Sequence, residues 1–345
     1  MATRKTNVTM RDVAKKAGVS VATVSRVLND SDLVVAKTED RIKKIAKELN
    51  YIPSASARSL SLRKTETIGL LLPDIYGDFF SEIIRGADST ARNRKHHLIV
   101  SSAHNNAEEL DAAVRTLSGR VDGMIIMSPH LESSTYLRSV LKAMPAVILG
   151  SSIDIGTADY ITIDNAGGAK QVVNHLLRQG HKRIAIIRGE KDNVDAEERL
   201  KGFCEAMRQS ANQVSDDDIV AGDFTEESGY NAAKQILASK VRPTAVFASN
   251  DSMAIGVLRK FREERIGVPR EIAVAGFDDI IISSYVHPSL TTVHVDISQM
   301  GILSVISLLT TLDGERSPNS ERRHVLPADL VIRESTMQTP ILTNN

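Results

Sequence analysis

Apolar residues recur at helical spacing near the start of the chain, and a glycine separates the first two predicted helices. Thr9 can cap the first helix, and Asp12 lies three residues later, where its charge favours a helix N-terminus. Gly18 follows at the point where a left-handed residue without a Cβ is least costly. Ser20 can cap a second helix through Thr23. The pattern therefore predicts two short helices joined by a tight turn.

The second predicted helix has two distinct faces. Val24, Val27 and Leu28 recur at helical spacing and should face inward. The opposite face is shared by Val21, Ala22, Ser25 and Arg26. This arrangement is typical of a helix-turn-helix, whose second helix can enter the major groove of DNA. An amphipathic helical hairpin in an ordinary core would give the same spacing.

A third helix is predicted downstream, followed by a segment with little to bury. Its apolar stripe consists of Ile42, Ile45, Ala46 and Leu49. Pro53 ends this helix because it disfavours the α conformation at the preceding residue. Residues 54–65 are small, polar and basic, and an isolated segment this short should be largely unfolded in water. If it becomes helical on DNA, Leu60 could be an apolar wedge for the minor groove; composition alone favours a plain linker.

From residue 67 onward, short apolar runs alternate with helical patterns. The runs form two series, namely 68–74, 97–103, 123–128 and 146–150, and then 184–189, 245–251 and 272–279. Buried runs separated by amphipathic helices indicate parallel sheets with helices on both faces. Two series predict two doubly wound α/β subdomains with a crevice between them, where ligands bind beyond the strand ends.

Polar side chains follow several of the predicted strands. They are Asp74, Arg188, Asn250, Asp251, Asp278 and Asp279. Because the carboxyl ends of parallel strands meet at one edge, we expect these groups to converge. Such a set suits a polyhydroxylated or similarly polar ligand.

The 345-residue chain has a formal net charge of zero, but its charge is unevenly distributed. Residues 1–64 hold 14 Lys and Arg against 6 Asp and Glu, a balance of +8. The remaining residues hold 29 basic against 37 acidic side chains, a balance of −8. A basic head on an acidic body is typical of a nucleic-acid-binding module attached to another function. The head would attract phosphates in a salt-dependent manner.

Other features bound the class of protein. Cys204 is the single cysteine, so no intramolecular disulfide can form. No apolar run reaches about 18 residues and no secretory signal is visible, so we expect a soluble cytoplasmic protein without membrane contact. The motifs GxxxxGK[ST], GxGxxG after a strand and GxSxG are missing from the sequence.

Two acidic groups could suggest an enzyme or a metal site. Residues 216–218 are three consecutive aspartates, which we interpret as a solvated loop because no further ligand stands at suitable spacing. Asp278 and Asp279 could be a catalytic pair, but adjacent side chains point in different directions and no nucleophile or base motif accompanies them. We therefore expect no enzyme activity, no cofactor and no metal.

A set of short motifs spans nearly the whole chain. In the first part they are VTMRDVAKKAGVSVATVSRVLN, AKT, ELNYIP and ARSL; in the remainder they are IGLLLPD, GHKRIAII, RLKGF, SNDSMAIG, GFDD and PSLTTV. Together they resemble the lactose/galactose repressor family of bacterial transcription regulators. The resemblance implies a body similar to periplasmic sugar-binding proteins, in agreement with the two predicted subdomains. We expect a helix-turn-helix head at 1–52, a hinge at 53–66 and an effector-binding and dimerisation body at 67–345.

The resemblance also implies roles on DNA. Phosphate contacts would be made by Ser20, Thr23 and Asn29. Base edges would be read by Val21, Ala22 and Arg26, with Ser25 on the same face. A bidentate pair of Arg26 with guanine would contribute roughly 1–3 kcal/mol of discrimination. The same resemblance implies that Leu60 is the wedge in the minor groove, whereas composition alone favours a plain linker.

For the effector, the resemblance implies polar contacts and a pocket lining. The polar contacts would be Arg199, Asn250 and Asp278, and the lining would include Asp74, Phe80 and Phe224. Gly150 stands where some sugar-responsive members carry an acidic residue, so the identity of any sugar stays open. The C-terminus carries no leucine-heptad tail, which favours a homodimer on a palindromic operator over a tetramer.

The sequence thus predicts a DNA-binding repressor controlled by a small polar metabolite, such as a sugar or sugar derivative. The metabolite could act as inducer or as corepressor. Two alternatives stay open at this point. One is a global regulator controlled mainly by a protein partner, and the other is a small-molecule-binding protein without DNA function, against which the basic head argues.

Overall fold

The computed structural model describes residues 8–28, 34–51, 64–104, 106–128, 135–150, 158–317 and 321–337. The chain divides into two compact units at the boundary between Glu66 and Thr67. Two residues expected on DNA, Asn29 and Leu60, lie outside the described residues, as does most of the expected hinge.

The first unit contains three described helices, α1 (Met10–Ala17), α2 (Val21–Leu28) and α3 (Ala36–Glu48). The expected capping groups are present. The Asp12 carboxylate accepts a hydrogen bond from the Thr9 backbone N–H at 2.8 Å, and Ser20 Oγ accepts one from the Thr23 N–H at 3.1 Å. Gly18 ends α1 with φ +67°, where the left-handed conformation favours glycine. The predicted helix–turn–helix is confirmed.

A small apolar core holds these helices together. It includes Val13 of α1, Val24 and Val27 of α2, and Ile42 of α3, all buried. The helix α3 begins at Ala36, and the Thr38 N–H donates to the Val35 carbonyl at 2.8 Å in its first turn. A unit of this size buries little surface, so few side chains carry its stability.

The second unit contains twelve described strands and eight described helices. The strands are β1 (Thr67–Leu72), β2 (His97–Ser102), β3 (Gly123–Met127), β4 (Ala146–Leu149), β5 (Asp159–Ile163), β6 (Ile184–Ile187), β7 (Ile219–Val220), β8 (Ala245–Ala248), β9 (Ala273–Ala275), β10 (Thr292–His294), β11 (Arg323–Leu326) and β12 (Asp329–Val331). The helices are α4 (Asp78–Asn93), α5 (Ala107–Leu117), α6 (Thr135–Ala143), α7 (Asn165–Arg178), α8 (Val194–Gln209), α9 (Glu226–Ala238), α10 (Asp251–Glu263) and α11 (Ile297–Leu312).

Two parallel sheets organise these elements. The first sheet has the order β11-β5-β4-β3-β1-β2, and the second has the order β7-β6-β8-β9. All strand pairs within both sheets are parallel, while β10 and β12 form a separate antiparallel pair. The chain leaves the first sheet after β5, returns to it at β11 and then continues to β12, which pairs with β10. The predicted doubly wound α/β body with two subdomains is confirmed.

Three strands lie outside the predicted apolar runs, namely β5, β7 and β10. Strand β5 begins with the buried Asp159, whose carboxylate forms an ion pair with Arg316 and accepts a hydrogen bond from Ser307. The apolar residues within 325–333 predict one last strand, but the structure has two, β11 and β12, on either side of Pro327. Proline has no N–H for a ladder hydrogen bond, so the first strand ends there.

Among the described residues, no helix is both long and apolar enough to span a bilayer. Each sheet is instead covered by helices, and the apolar residues of the inner strands β1, β3, β4, β6 and β8 are almost fully buried. The carboxyl ends of β6, β8 and β9 carry Arg188, Asn250, Asp251, Asp278 and Asp279 of the expected polar set, whereas Asp74 follows β1 of the first sheet.

One buried carboxylate holds the loop after β9 in position. Asp251, the first residue of α10, accepts hydrogen bonds from Ser283 Oγ at 2.6 Å, Thr292 Oγ1 at 2.5 Å and the Ile280 N–H at 3.0 Å. A Cβ at Gly276 would overlap its Oδ1, so glycine is needed there. Burial, and next the negative charge of Asp278, raise the pKa of Asp251 to about 8.

This pKa predicts a pH effect on stability. Between about pH 4 and pH 8 the unfolded chain releases the Asp251 proton while the folded chain retains it, so native stability falls as the pH rises, by at most about 1.4 kcal/mol per pH unit. We expect Asp251→Asn to remove this contribution. Urea unfolding from pH 5 to 8 should therefore give a shallower pH dependence for the variant. Equal slopes for both proteins would contradict the assignment.

Candidate functional site

The exposed face of α2 gathers most of the residues expected on DNA. Val21 is 42% exposed, and Ala22 and Arg26 are also exposed, while Thr23 and Ser25 are half-buried on the adjoining surface. The hydroxyl groups of Ser20 and Thr23 lie 2.8 Å apart. This end and face of α2 offer hydroxyl donors for phosphates and one guanidinium for a base edge.

In the second unit, the Arg199 side chain joins four elements. It is 3% exposed. Its Nε donates to Asn165 Oδ1 at 2.8 Å, at the start of α7, and its Nη1 donates to the carbonyl of Ser249, which follows β8. Its Nη2 lies 3.1 Å from Oδ1 of Asp278, after β9. The guanidinium carbon also stacks 3.8 Å from the ring centroid of Phe277.

Asp278 is the acidic partner of this guanidinium. It is 5% exposed and adopts φ +104°, a conformation that non-glycine residues rarely occupy. Its Oδ1 forms the ion pair with Arg199 but accepts no well-aligned hydrogen bond from the described residues. Burial raises the pKa of Asp278 to about 6; Arg199 opposes this rise, and the charge of Asp195 adds to it. A buried carboxylate in such a state is a candidate ligand-binding group.

Its neighbour Asp279 points elsewhere. The Asp279 carboxylate accepts from Arg333 Nη2 at 2.7 Å and lies 3.0 Å from His294 Nδ1. The two adjacent carboxylates therefore have different partners. Residues 216–218 form a short 3₁₀ turn in which Asp218 accepts from Arg183 at 2.8 Å. Among the described residues, no cluster of His, Cys, Asp or Glu is arranged to hold a metal ion.

Asn250 has a structural role in addition to any contact with a ligand. Its Oδ1 caps α10 by accepting from the Met253 N–H at 3.0 Å, and its Nδ2 donates to the Phe224 carbonyl at 3.0 Å. The ring of Phe224 lies against Gly189, where a Cβ would overlap it. Asn250 thus positions Phe224 beside the end of β6. Its direct contact with the effector stays a prediction.

The two residues expected from the first sheet are less constrained. Asp74 is exposed, and its Oδ1 accepts from the N–H groups of Ile75 at 2.6 Å and Tyr76 at 3.1 Å. Phe80 is half-buried in the first turn of α4, with its ring edge-on to Phe79 at 5.4 Å. Among the described residues, no hydrogen bond or ion pair joins Asp74 or Phe80 to Arg199 or Asp278. Their part in a pocket lining also stays a prediction.

Four residues of this site were not predicted from the sequence. They are Asn165, Asp195, Ser249 and Phe277. Asn165 follows the missed strand β5, so nothing marked it as a strand-end residue. Asp195, in contrast, stands four residues before Arg199 on the same helix, a spacing that places both on one face. That spacing was the available signal.

Both units are similar to known protein families. Residues 9–54 match the model of bacterial regulatory proteins of the lacI family, and residues 173–336 match a periplasmic binding protein-like domain. The chain is 34% identical over 338 residues to the HTH-type transcriptional repressor CytR of Escherichia coli, with 98% of both chains covered. The chain belongs to the LacI family.

Other relatives of this LacI-family chain agree. The ribose operon repressor of Escherichia coli is 35% identical over 303 residues, covering 87% of this chain and 92% of the repressor. A crystal structure of the lac repressor dimer bound to operator and the anti-inducer ONPF aligns with a TM-score of 0.86 and 31% identity, over 96% of this chain and 100% of that chain. This LacI-family chain is a DNA-binding transcription regulator rather than an enzyme.

The state of Asp278 predicts how ligand binding depends on pH. As the pH falls through about 6 its carboxylate takes up a proton, and a hydroxyl or amino donor of a ligand loses a charged acceptor. Between pH 7 and 5 we expect the affinity of such a ligand to fall, by at most tenfold per unit. Titration calorimetry would measure this, with Asp278→Asn as the comparison whose affinity should vary less. A flat profile for the native protein would contradict this role of Asp278.

Proposed function

We propose that this LacI-family chain is a cytoplasmic repressor that binds a palindromic operator as a homodimer and responds to a small polar metabolite held at Arg199 and Asp278. The observation that carries the effector assignment is the buried ion pair at the carboxyl ends of the second sheet. Parallel α/β sheets bind ligands at this edge. A sugar or sugar derivative is the class of ligand that these polar groups suit best.

The DNA-binding part of the proposal rests on α2. Its exposed face combines small apolar side chains with Arg26, and residues 1–64 have a charge balance of +8. Phosphate attraction would supply affinity, and Arg26 would supply discrimination between bases. Asn29 and Leu60 are proposed to extend this contact to the helix end and to the minor groove.

The homodimer part of the proposal rests on exposed apolar side chains of the body. Ile99 and Val100 are exposed on β2, which is an edge strand of the first sheet. Ile281 and Tyr285 are 67% and 77% exposed beside the loop that carries Asp278. An exposed apolar edge is prone to pair with another chain. A second copy would cover both surfaces in a two-fold dimer, the arrangement that fits a palindromic site.

Control by the metabolite requires different affinity for two states of the body. The two sheets share no strand, and we propose that their separation changes when the metabolite binds. A ligand that prefers one separation shifts the population towards it. The change that the ligand causes in the free energy of DNA binding then equals the coupling free energy between the two sites. A thermal-shift screen of sugars and nucleosides tests the proposal, because a ligand raises the unfolding temperature according to its concentration over its Kd.

Arg26→Ala tests the DNA-reading face. The duplex should first be selected from a random pool with the native protein. We expect the variant to lose roughly 1–3 kcal/mol of preference for the selected palindrome over random duplex, because the guanidinium no longer meets a guanine. Fluorescence anisotropy at several salt concentrations measures both affinities. Arg41→Ala, an exposed arginine of α3, is the matched control and should keep the preference; an unchanged preference for Arg26→Ala would contradict the proposal.

Asp278→Asn tests the effector site. This substitution leaves a neutral acceptor beside Arg199 and removes the charged one. We expect the ligand affinity to fall at least tenfold, since hydrogen bonds to charged groups contribute about 1.5–3 kcal/mol. Binding of the selected palindrome without ligand, and its salt dependence, should stay as in the native protein. Asp217→Asn removes an exposed carboxylate from the same subdomain and should change neither. A normal ligand response of Asp278→Asn would rule out this site.

A further inference from the structure

The amino ends of the strands lie at one edge of the first sheet, because all of its strand pairs are parallel. The chain of the head enters the body at this edge, since Thr67 is the first residue both of β1 and of the second unit. In the register of the sheet Thr67 lies beside His97 of β2, and its carbonyl accepts a hydrogen bond from the Asp122 N–H at 2.8 Å. The turns before β2 and β3 therefore flank the point of entry.

Basic side chains are concentrated in the segments at this edge. Residues 64–67, 94–97, 120–123 and 321–323 lead into β1, β2, β3 and β11, and they hold six Lys and Arg against three Asp and Glu. Residues 65–345 as a whole, in contrast, have a balance of −8. All six basic side chains are exposed, and five of them are called the amino-edge patch below, namely Arg94, Lys95, Arg120, Arg322 and Arg323.

The opposite edge of the same strands has the opposite charge. Residues 73–83 follow β1, and residues 103–113 follow β2. Each of these two segments holds three Asp or Glu and no Lys or Arg. The charge of the first subdomain is therefore separated along the strands, with the positive side chains at the end where the head is attached.

The helix dipole explains only part of this separation. It favours basic side chains at the end of a helix, and its effect falls off within the last turn. Arg94 caps the end of α4 and is explained in this way. Lys95 and Arg120 lie beyond the ends of α4 and α5, and Arg322 lies well beyond the end of α11. Among the described residues, these last three side chains form no ion pair.

Two guanidinium groups meet at the β11 end of the edge. Arg316 forms an ion pair with the buried Asp159 at the start of β5. Burial, and next the positive charge of Arg322, lower the pKa of Arg316. Arg322 therefore adds positive charge beside a guanidinium that Asp159 already neutralises. An anion bound at this edge would relieve the repulsion between the two arginines.

The length of the connecting chain keeps this edge close to any duplex that the head holds. Residues 53–66 number 14, so they span at most about 50 Å even when fully extended. A tether of this kind makes a second contact effectively intramolecular. Contacts between the body and phosphates that would be weak in free solution can then add measurably to the affinity for DNA.

We propose that the amino-edge patch binds phosphates of the duplex that the head holds, without reading its sequence. This proposal rests on the DNA-binding part of the proposed function and adds the body as a second contact with DNA. Lysine and arginine on phosphates supply salt-dependent affinity, whereas contacts with base edges supply specificity. The patch therefore strengthens binding to any duplex and leaves the preference for the palindrome to α2.

Lys95→Gln combined with Arg120→Gln removes two of the charges that flank the point of entry. Each phosphate contact contributes about 0.9 to the slope of log affinity against log salt concentration. Between about 50 and 200 mM salt, we expect the native affinity to fall at least about tenfold more than that of the double variant. Fluorescence anisotropy of the full-length proteins measures this for the selected palindrome and for random duplex. Equal salt dependence of the two proteins would overturn the proposal.

Lys182→Gln combined with Lys240→Gln is the matched control. It removes two exposed lysines from the segments before β6 and β8 of the second sheet, and so changes the net charge by the same amount. We expect it to keep the salt dependence of the native protein. An equal reduction in both double variants would show an effect of overall charge and would also overturn the proposal. Both should keep the native preference for the palindrome.

Cross-linking tests whether the edge contacts DNA directly. Arg120→Cys is labelled with a photoreactive benzophenone in a Cys204→Ser background, which removes the single native cysteine. We expect illumination to attach this position to the selected palindrome and to random duplex, and Lys240→Cys to attach to neither. The absence of a DNA adduct at position 120, or equal adducts at both positions, would refute the patch while operator preference stays intact. Loss of operator preference in the native protein would instead refute the proposed function.

Discussion

The geometry of the proposed effector site depends on the burial of one guanidinium. Arg199 is removed from water, so its guanidinium needs acceptors from the protein, and each of its three nitrogens meets one. Those acceptors come from the start of α7, from the end of β8 and from the loop after β9. The requirement to satisfy one side chain therefore fixes the relative positions of three chain segments that are far apart in sequence. A site assembled in this way is held to the geometry of the sheet rather than to that of a flexible loop.

Burying charged groups beside Arg199 costs free energy, and hydrogen bonds and ion pairs with the surrounding residues offset this cost. Asp278, Asp195 and Asp251 are all buried near one another, and like charges in a poorly solvated region raise one another's pKa values. Asp251 meets this cost through three hydrogen-bond donors, so it serves as an anchor for the loop. Asp278 is instead paired with Arg199 at 3.1 Å, and Asp195 accepts a hydrogen bond from Asn165 at 2.7 Å. Asp251 therefore anchors the loop, while Asp278 and Asp195 offset the charge of the buried guanidinium.

The sequence predicted whatever depended on periodicity and missed whatever depended on tertiary partners. The apolar runs and amphipathic helices were sufficient for the two parallel sheets. The strand β5 was missed because Asp159 looks exposed until Arg316 is placed beside it. Asn250 was expected to meet the effector through its resemblance to family members, but its amide is also a helix cap, which only backbone coordinates reveal. Asp195 escaped notice because a carboxylate in a first helical turn is ordinarily explained by the helix dipole.

The number of hydrogen bonds to charged groups decides whether a small ligand can generate enough free energy for regulation. Moving a two-state protein from 1:99 to 99:1 takes about 5.5 kcal/mol of differential binding. A hydrogen bond to a charged group contributes about 1.5–3 kcal/mol, so two to four donors that meet their acceptors in one state only are sufficient. Asp195 of the second subdomain and Gly150 of the first lie close together, since a Cβ at Gly150 would be 3.0 Å from Asp195 Oδ2. A ligand whose donors meet acceptors on both sides of this contact would therefore prefer one separation of the two sheets.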